Sequence, residues 1–191
     1  VDIDTPHGPA RAHVQAADSP LALLVLGHGA GGGISAPDLM VVARVALERQ
    51  VSVALVEQPY LVAGRKSQAP AAQLNAAWIA AVERLRDGSL PLIVGGRSAG
   101  ARVACRTAAT TGAAGVLCLA FPVHPPGKPE KSRLDELDSV TVPTLVVQGE
   151  RDPFGMPPPA PNRTVVKVRG DHGLKSDLEA VATAVRDWLP V

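Results

Sequence analysis

Aromatic side chains are scarce: two Trp, one Tyr and two Phe make up 3% of the 191 residues. Binders of single-stranded nucleic acid need such rings in series as stacking platforms, so that class is excluded. Charge of one sign is lacking as well. The net charge is +1 and the Arg residues are scattered, so no strong field recruits nucleic acid or a membrane surface. No apolar run approaches the length of a membrane span. The stretch from Val1 to Pro6 has no charged and then apolar leader pattern, and the expectation is a cytoplasmic chain. Cysteine is limited to Cys105 and Cys118, each inside a helix-like or strand-like apolar stretch. Two small, buried, reduced thiols are the preferred reading over a disulfide or a reactive thiol. There is no H-E-x-x-H, no paired C-x-x-C and no acidic cluster, so neither a metal nor another cofactor is expected.

What is present is an ordinary globular balance of 46% apolar and 19% charged residues, long enough for one core. Residues 1–191 are read as a single domain. Weak alternation from Ile3 to Ala17 predicts one or two edge strands around a turn at Pro6 to Pro9, with His7 and His13 at the surface. Continuous apolar runs at Leu21–Leu26, Val51–Val56, Leu92–Val94, Gly115–Phe121, Pro143–Gln148 and Thr164–Val168 read as strands covered on both faces. Helical spacing follows most of them. One helix runs to about Gln50, with Ser35 or Asp38 as its cap and Pro37 in its first turn. Another spans about Pro70 to Arg86 and is stopped by Asp87-Gly88. A third is expected at Ala99–Thr111, a short one at Ser132–Leu137, and an amphipathic one at about Lys175–Leu189. Strands alternating with helices predict an α/β fold, a mainly parallel sheet of about six to eight strands flanked by helices on both faces.

The chain is organised around Gly96-Arg97-Ser98-Ala99-Gly100, a G-x-S-x-G with a strand before it and a helix after it. Such a turn is tight, and a Cβ at either flanking glycine would collide with the neighbouring strand or helix. It exposes the Ser98 hydroxyl and aims the first N–H groups of the following helix at whatever approaches. A Gly-rich turn without chemistry is the plain alternative, and the strand–turn–helix context argues against it.

A serine hydroxyl is a poor nucleophile at neutral pH, so it needs a base, and the base needs an orienting carboxylate. In a parallel sheet, sites gather beyond the carboxyl ends of the strands. The loops there carry His28-Gly29-Ala30, Glu57, Ser98, Asp152 and His172. Ser98 is therefore the candidate nucleophile, His172 the base and Asp152 the acid. The oxyanion donors are the N–H of Ala99 and one N–H from the loop Gly27–Gly33, with Ala30 first and Gly31 as the alternative. That loop lacks the following Lys-Ser or Lys-Thr of a phosphate loop, and its glycines fit a dinucleotide fingerprint poorly. Asp171 is a rival acid but is the immediate neighbour of His172 and would point poorly at its ring. His28 is read as a prop for the oxyanion loop, and Glu57 as a hydrogen-bond partner to a loop. Tyr60, His124 and Phe154 are candidates for substrate contact. The cations Arg65, Lys66, Lys128 and Lys131 read as solvated surface charge, with reception of an anionic substrate as the second reading.

These pieces together resemble the α/β-hydrolases of the small dienelactone-hydrolase-like branch, and more narrowly the Tex/KANL-type predicted hydrolases. The likeness rests on Gly27–Gly32, Gln58–Tyr60 with Gly64–Lys66, Gly95–Arg102, Phe121–Lys131, Gln148–Asp152 and Gly170–His172, and it spans nearly all the chain from Leu21 on. The resemblance implies a Ser-Asp-His hydrolase and no particular substrate. Only a short loop follows Phe121, where many such enzymes insert a lid, so a minimal fold with a shallow, open site is expected. The expected activity is cleavage of small carboxylic esters or thioesters through an acyl-enzyme on Ser98. An acyltransferase or peptidase with the same residues, or a non-catalytic interaction module on the same scaffold, are the alternatives. The expected partner is a small-molecule acyl substrate, with a homodimer as an open possibility.

Overall fold

The computed structural model describes residues 1–86 and 88–189. Asp87, expected to help stop a helix, lies outside them. The elements in chain order are β1 (Asp2–Ile3), β2 (Ala10–Gln15), β3 (Ala22–Gly27), α1 (Pro37–Glu48), β4 (Val51–Glu57), α2 (Pro59–Val62), α3 (Ala71–Leu85) and β5 (Leu92–Arg97). They continue with α4 (Ala99–Thr111), β6 (Gly115–Leu119), α5 (Leu134–Asp138), β7 (Thr144–Gly149), β8 (Arg163–Val168) and α6 (Leu178–Trp188).

The strands form one eight-stranded sheet in the order β1-β2-β4-β3-β5-β6-β7-β8. From β4 to β8 every neighbour is parallel, while β1 and β2 run antiparallel at one edge. The six parallel strands therefore end on one side, and their following loops share that edge. Successive side chains of a strand point to opposite faces, so each buried strand feeds two cores. Leu24 and Leu26 of β3 pack with α1 and α6, while Val25 packs with α3 and α4. Trp78 of α3 is the largest fully buried side chain. Near-continuous Val, Leu and Ile in these strands follow from burial on both faces.

Several local expectations are corrected. Neither Ser35 nor Asp38 caps α1. Ala36 occupies the cap without a side-chain bond, because Pro37 takes the first helical position and carries Asp38 into the first turn. There the Asp38 carboxylate is fully buried against Arg97. The four-residue helix α2 was unexpected, being too short to show a helical period. Glu57 does not brace a loop; it pairs with His13 of the adjacent antiparallel strand at 2.9 Å. The final helix begins only at Leu178, where Asp177 accepts from the Ala180 N–H.

Polar ties fix α4 beneath the site. Arg102 donates through Nε to Glu136 of α5 at 2.8 Å, and Arg106 reaches both Glu136 and Asn75 of α3. Cys105 of α4 and Cys118 of β6 are both free thiols and buried, their sulfurs 3.5 Å apart. The contact with Cys118, reinforced by burial, pushes the Cys105 thiol well up, which keeps it protonated and unreactive.

Candidate active site

The turn between β5 and α4 is built by the absence of side chains. A carbon added to Gly100 would lie 2.5 Å from the Gly27 carbonyl oxygen, and one added to Gly96 would meet the same atom at 2.5 Å. Glycine at these positions lets β3 press against the start of α4. Between them Ser98 is held at φ 51°, ψ −107°, a backbone conformation rare outside glycine. Its N–H is satisfied by the Leu119 carbonyl at 2.9 Å, which locks the turn to the end of β6. The side chain of Ser98 projects from this strained corner.

Three sequence-distant side chains meet there. Ser98 Oγ lies 2.9 Å from His172 Nε2, and His172 Nδ1 lies 2.8 Å from Asp152 Oδ2. A carboxylate only accepts, so Nδ1 carries the proton and Nε2 is left to accept from the serine hydroxyl. The Asp152 carboxylate is wholly buried, while the His172 side chain is 19% exposed. Asp152 Oδ1 accepts from the Phe154 N–H at 2.9 Å, and Oδ2 also accepts from Gln148 Nε2 at 2.8 Å. Gln148 is fully buried on β7 and donates as well toward the carbonyls of Phe121 and Gly155. It ties the loop after β6 to the loop that carries the acid. Nothing in the local pattern around Gln148 signals this role.

The rival acid is set aside by geometry. Asp171 is exposed and its Oδ1 accepts from the Gly173 N–H at 2.9 Å, away from the His172 ring. Phe154 packs on that ring, with centroids 4.3 Å apart. His124 is half-buried beside it: its N–H donates to the Phe154 carbonyl at 3.2 Å and its Nδ1 contacts the Pro125 carbonyl at 2.9 Å. Tyr60 is buried and its hydroxyl donates to the Ala30 carbonyl at 3.2 Å, so it braces the glycine loop. Arg65 is exposed and borders a cavity of about 180 Å³ at the β4–α2 corner, lined also by His7 and Gln73, on residues other than Ser98 and His172.

The glycine loop after β3 is anchored by His28, as anticipated. His28 is 3% exposed. Its Nδ1–H donates to the Gly29 carbonyl at 2.8 Å and its Nε2 accepts the Gln58 N–H at 3.1 Å, which fixes a neutral tautomer. Burial pushes its pKa below the usual 6.5. A carbon added to the buried Gly29 would be 3.8 Å from Ser98 Cβ, so this loop borders the serine. The N–H groups of Ala30, Gly31 and Ala99 find no acceptor among the described residues. Among the same residues no group of His, Cys, Asp or Glu is arranged to hold a metal, and no helix is long and apolar enough to cross a membrane.

A buried carboxylate, an imidazole and a strained serine, in line at the carboxyl edge of a parallel sheet, define an α/β-hydrolase architecture. A model of the alpha/beta hydrolase domain matches residues 20–183. The chain belongs to that family. No lid domain is inserted after β6: the segment to α5 is a loop. Solved structures share the fold. Est1E from Butyrivibrio proteoclasticus, solved with ferulic acid bound, is similar with a TM-score of 0.80 at 17% identity, covering 98% of this chain and 96% of that one. XC6422 from Xanthomonas campestris, described as a serine hydrolase without lid, is similar at TM-score 0.75 and 22% identity, covering 100% and 94%. Dienelactone hydrolase from Anabaena variabilis is similar at TM-score 0.78 and 18% identity, covering 98% and 94%. No curated protein matches the sequence.

Proposed function

We propose that residues 1–191 form one serine hydrolase domain that cleaves small carboxylic esters or thioesters through an acyl-enzyme on Ser98. The observation that carries this reading is the unbroken relay from Ser98 Oγ through His172 to the buried Asp152, at 2.9 and 2.8 Å. His172 Nε2 takes the hydroxyl proton as Oγ attacks the acyl carbon. Asp152 stabilises the imidazolium through Nδ1. The oxyanion of the tetrahedral intermediate is held by the Ala99 N–H and by the N–H of Ala30, or of Gly31 in its place; one such donor contributes about 3 kcal/mol. His172 returns the proton to the departing alcohol or thiol. Water, deprotonated by the same nitrogen, then releases the acid and restores Ser98.

The lid-less edge supports substrates of modest size, rimmed by the loops that carry His124 and Phe154. The fold shared with a dienelactone hydrolase and with Est1E, which holds ferulic acid, accords with small ester chemistry. The narrower likeness to Tex/KANL-type hydrolases rests on the motifs of the sequence. The test is hydrolysis of short-chain nitrophenyl esters and thioesters by the wild type and by Ser98→Ala. Turnover that vanishes in Ser98→Ala is expected. Wild-type activity no greater than that of Ser98→Ala across the panel would favour a non-catalytic interaction module instead.

A further inference from the structure

The residue before the serine does more than fill the variable position of the turn. Arg97 ends β5, and its guanidinium reaches three separate segments. Nε lies 2.9 Å from Asp38 Oδ2 on α1. Nη2–H donates to the main-chain carbonyl of His172 at 3.0 Å. Nη1 lies over the glycine loop, where a carbon added to Gly29 would be 3.0 Å away. The Asp38 side chain has no exposure, and its other oxygen accepts the Leu39 N–H at 3.0 Å. Arg97 is the cation that pairs with it among the described residues. Burial pushes the Asp38 pKa up, and the guanidinium works against that shift. Because Nε and Oδ2 are close without an aligned hydrogen bond, Asp38 acts on Arg97 as a charge that holds it in place.

We propose that Arg97 is a positioning residue for His172, a strut from the serine's own strand to the backbone of the histidine. The proposal rests on the reading of Ser98 and His172 as nucleophile and base. Its logic is a closed ring of contacts. Ser98 Oγ meets the imidazole, the imidazole is carried by the His172 main chain, that main chain is bonded to Arg97, and Arg97 is joined by a peptide bond to Ser98. The distance from hydroxyl to Nε2 is thereby set by one rigid unit. The other supports of the loop lie beside His172 and not on it: Gly170 accepts from the Arg151 N–H, and the Asp171 carbonyl accepts from the Leu174 N–H. Leu174, at φ 50°, makes the sharp exit from the loop. Among the described residues the His172 carbonyl is held by Arg97. Without the strut, the imidazole keeps Asp152 at Nδ1 and Phe154 on its face, and both allow it to pivot away from Ser98.

The test compares Arg97→Lys, Arg97→Gln, Asp38→Asn and the double variant Arg97→Gln/Asp38→Asn. The readouts are kcat and KM on a short nitrophenyl ester, thermal midpoint, and amide deuterium exchange of the segment 169–176. Misplacing a reacting group by about 1 Å costs up to about 100-fold in rate. Arg97→Gln should lower kcat by about 10- to 100-fold with KM within about twofold, and should speed exchange around His172. The double variant, which no longer buries a lone carboxylate, should recover midpoint without recovering kcat. Asp38→Asn removes the charge beside Nε but leaves the Arg97 donor to the His172 carbonyl in place, so it should lose less kcat than Arg97→Gln. Arg97→Lys keeps the charge and the fold but not the two-pronged reach, so it should lose kcat at a near-native midpoint. A double variant with wild-type kcat, or losses in kcat that track midpoint across all four, would overturn the proposal. If the wild type shows no Ser98-dependent turnover, the hydrolase reading fails by itself. The exchange arm then decides the strut: unchanged exchange at 169–176 in Arg97→Gln and Arg97→Lys overturns it, and faster exchange upholds it.

Discussion

The two sides of the candidate site are held by opposite means. The serine turn is fixed by what is missing, since Gly27, Gly96 and Gly100 let backbone touch backbone. The loops that carry Asp152 and His172 are fixed by long polar side chains, Gln148 under Asp152 and Arg97 behind His172. Steric exclusion tolerates almost no substitution, whereas a hydrogen bond can be weakened by degrees. The serine side should therefore fail abruptly when altered and the histidine side gradually.

The largest effect is expected at the relay itself. Asp152→Asn leaves the shape intact but favours the wrong tautomer of His172, and kcat should fall about 10⁴-fold with the fold preserved by circular dichroism. A fall of less than about tenfold would mean that the buried carboxylate is structural. Next in size is Gly100→Ala. The new carbon is driven onto the Gly27 carbonyl at 2.5 Å, and overpacking of this kind costs about 1–3 kcal/mol or more, read as a lower urea midpoint. Gln148→Leu is the graded counterpart. Loss of a hydrogen bond to a charged group costs about 1.5–3 kcal/mol, which corresponds to a fall in kcat of about 10- to 100-fold at nearly constant KM. An equal loss of midpoint and activity in Gly100→Ala and Gln148→Leu would erase the distinction between the two sides.

The smallest effect concerns pH. His28 has a folded pKa below 6.5, so the native state binds fewer protons than the unfolded one. Its stabilising contribution is fully present above 6.5 and is lost as the pH falls through 6.5 toward the folded value. His28→Asn removes that titration, so the stability gap between wild type and variant should narrow on acidification, as read by denaturant melts at pH 7.5 and below 6. A constant gap would show that His28 does not titrate on unfolding in this range.

This division also explains what was legible in the sequence. The strand at Leu92, the turn around Ser98 and the helix Ala99–Thr111 were readable because apolar runs and glycines act locally. Asp152 and His172 were readable as loop residues after strands, once a parallel sheet was inferred. The edge strands β1 and β2 were visible in weak alternation, and His28 as a prop could be inferred from its place among glycines. Arg97 and Gln148 were not legible in their roles. Arg97 finds its partner 75 positions away, and Gln148 reaches 27 positions back to Phe121; no periodicity reports such a bond. Asp38 misled for a related reason. Its identity and position fit a helix cap, but Pro37 starts the helix, places Asp38 two positions past the cap, and a distant guanidinium claims it.

A fluorophosphonate probe reads the activation of Ser98 without any assumption about substrate. Mass spectrometry of the treated protein should find a single adduct on the peptide that contains Ser98, absent from Ser98→Ala and strongly slowed in His172→Ala. A folded wild-type protein that takes up no adduct, or one labelled equally in Ser98→Ala, would show that Ser98 is not an activated nucleophile.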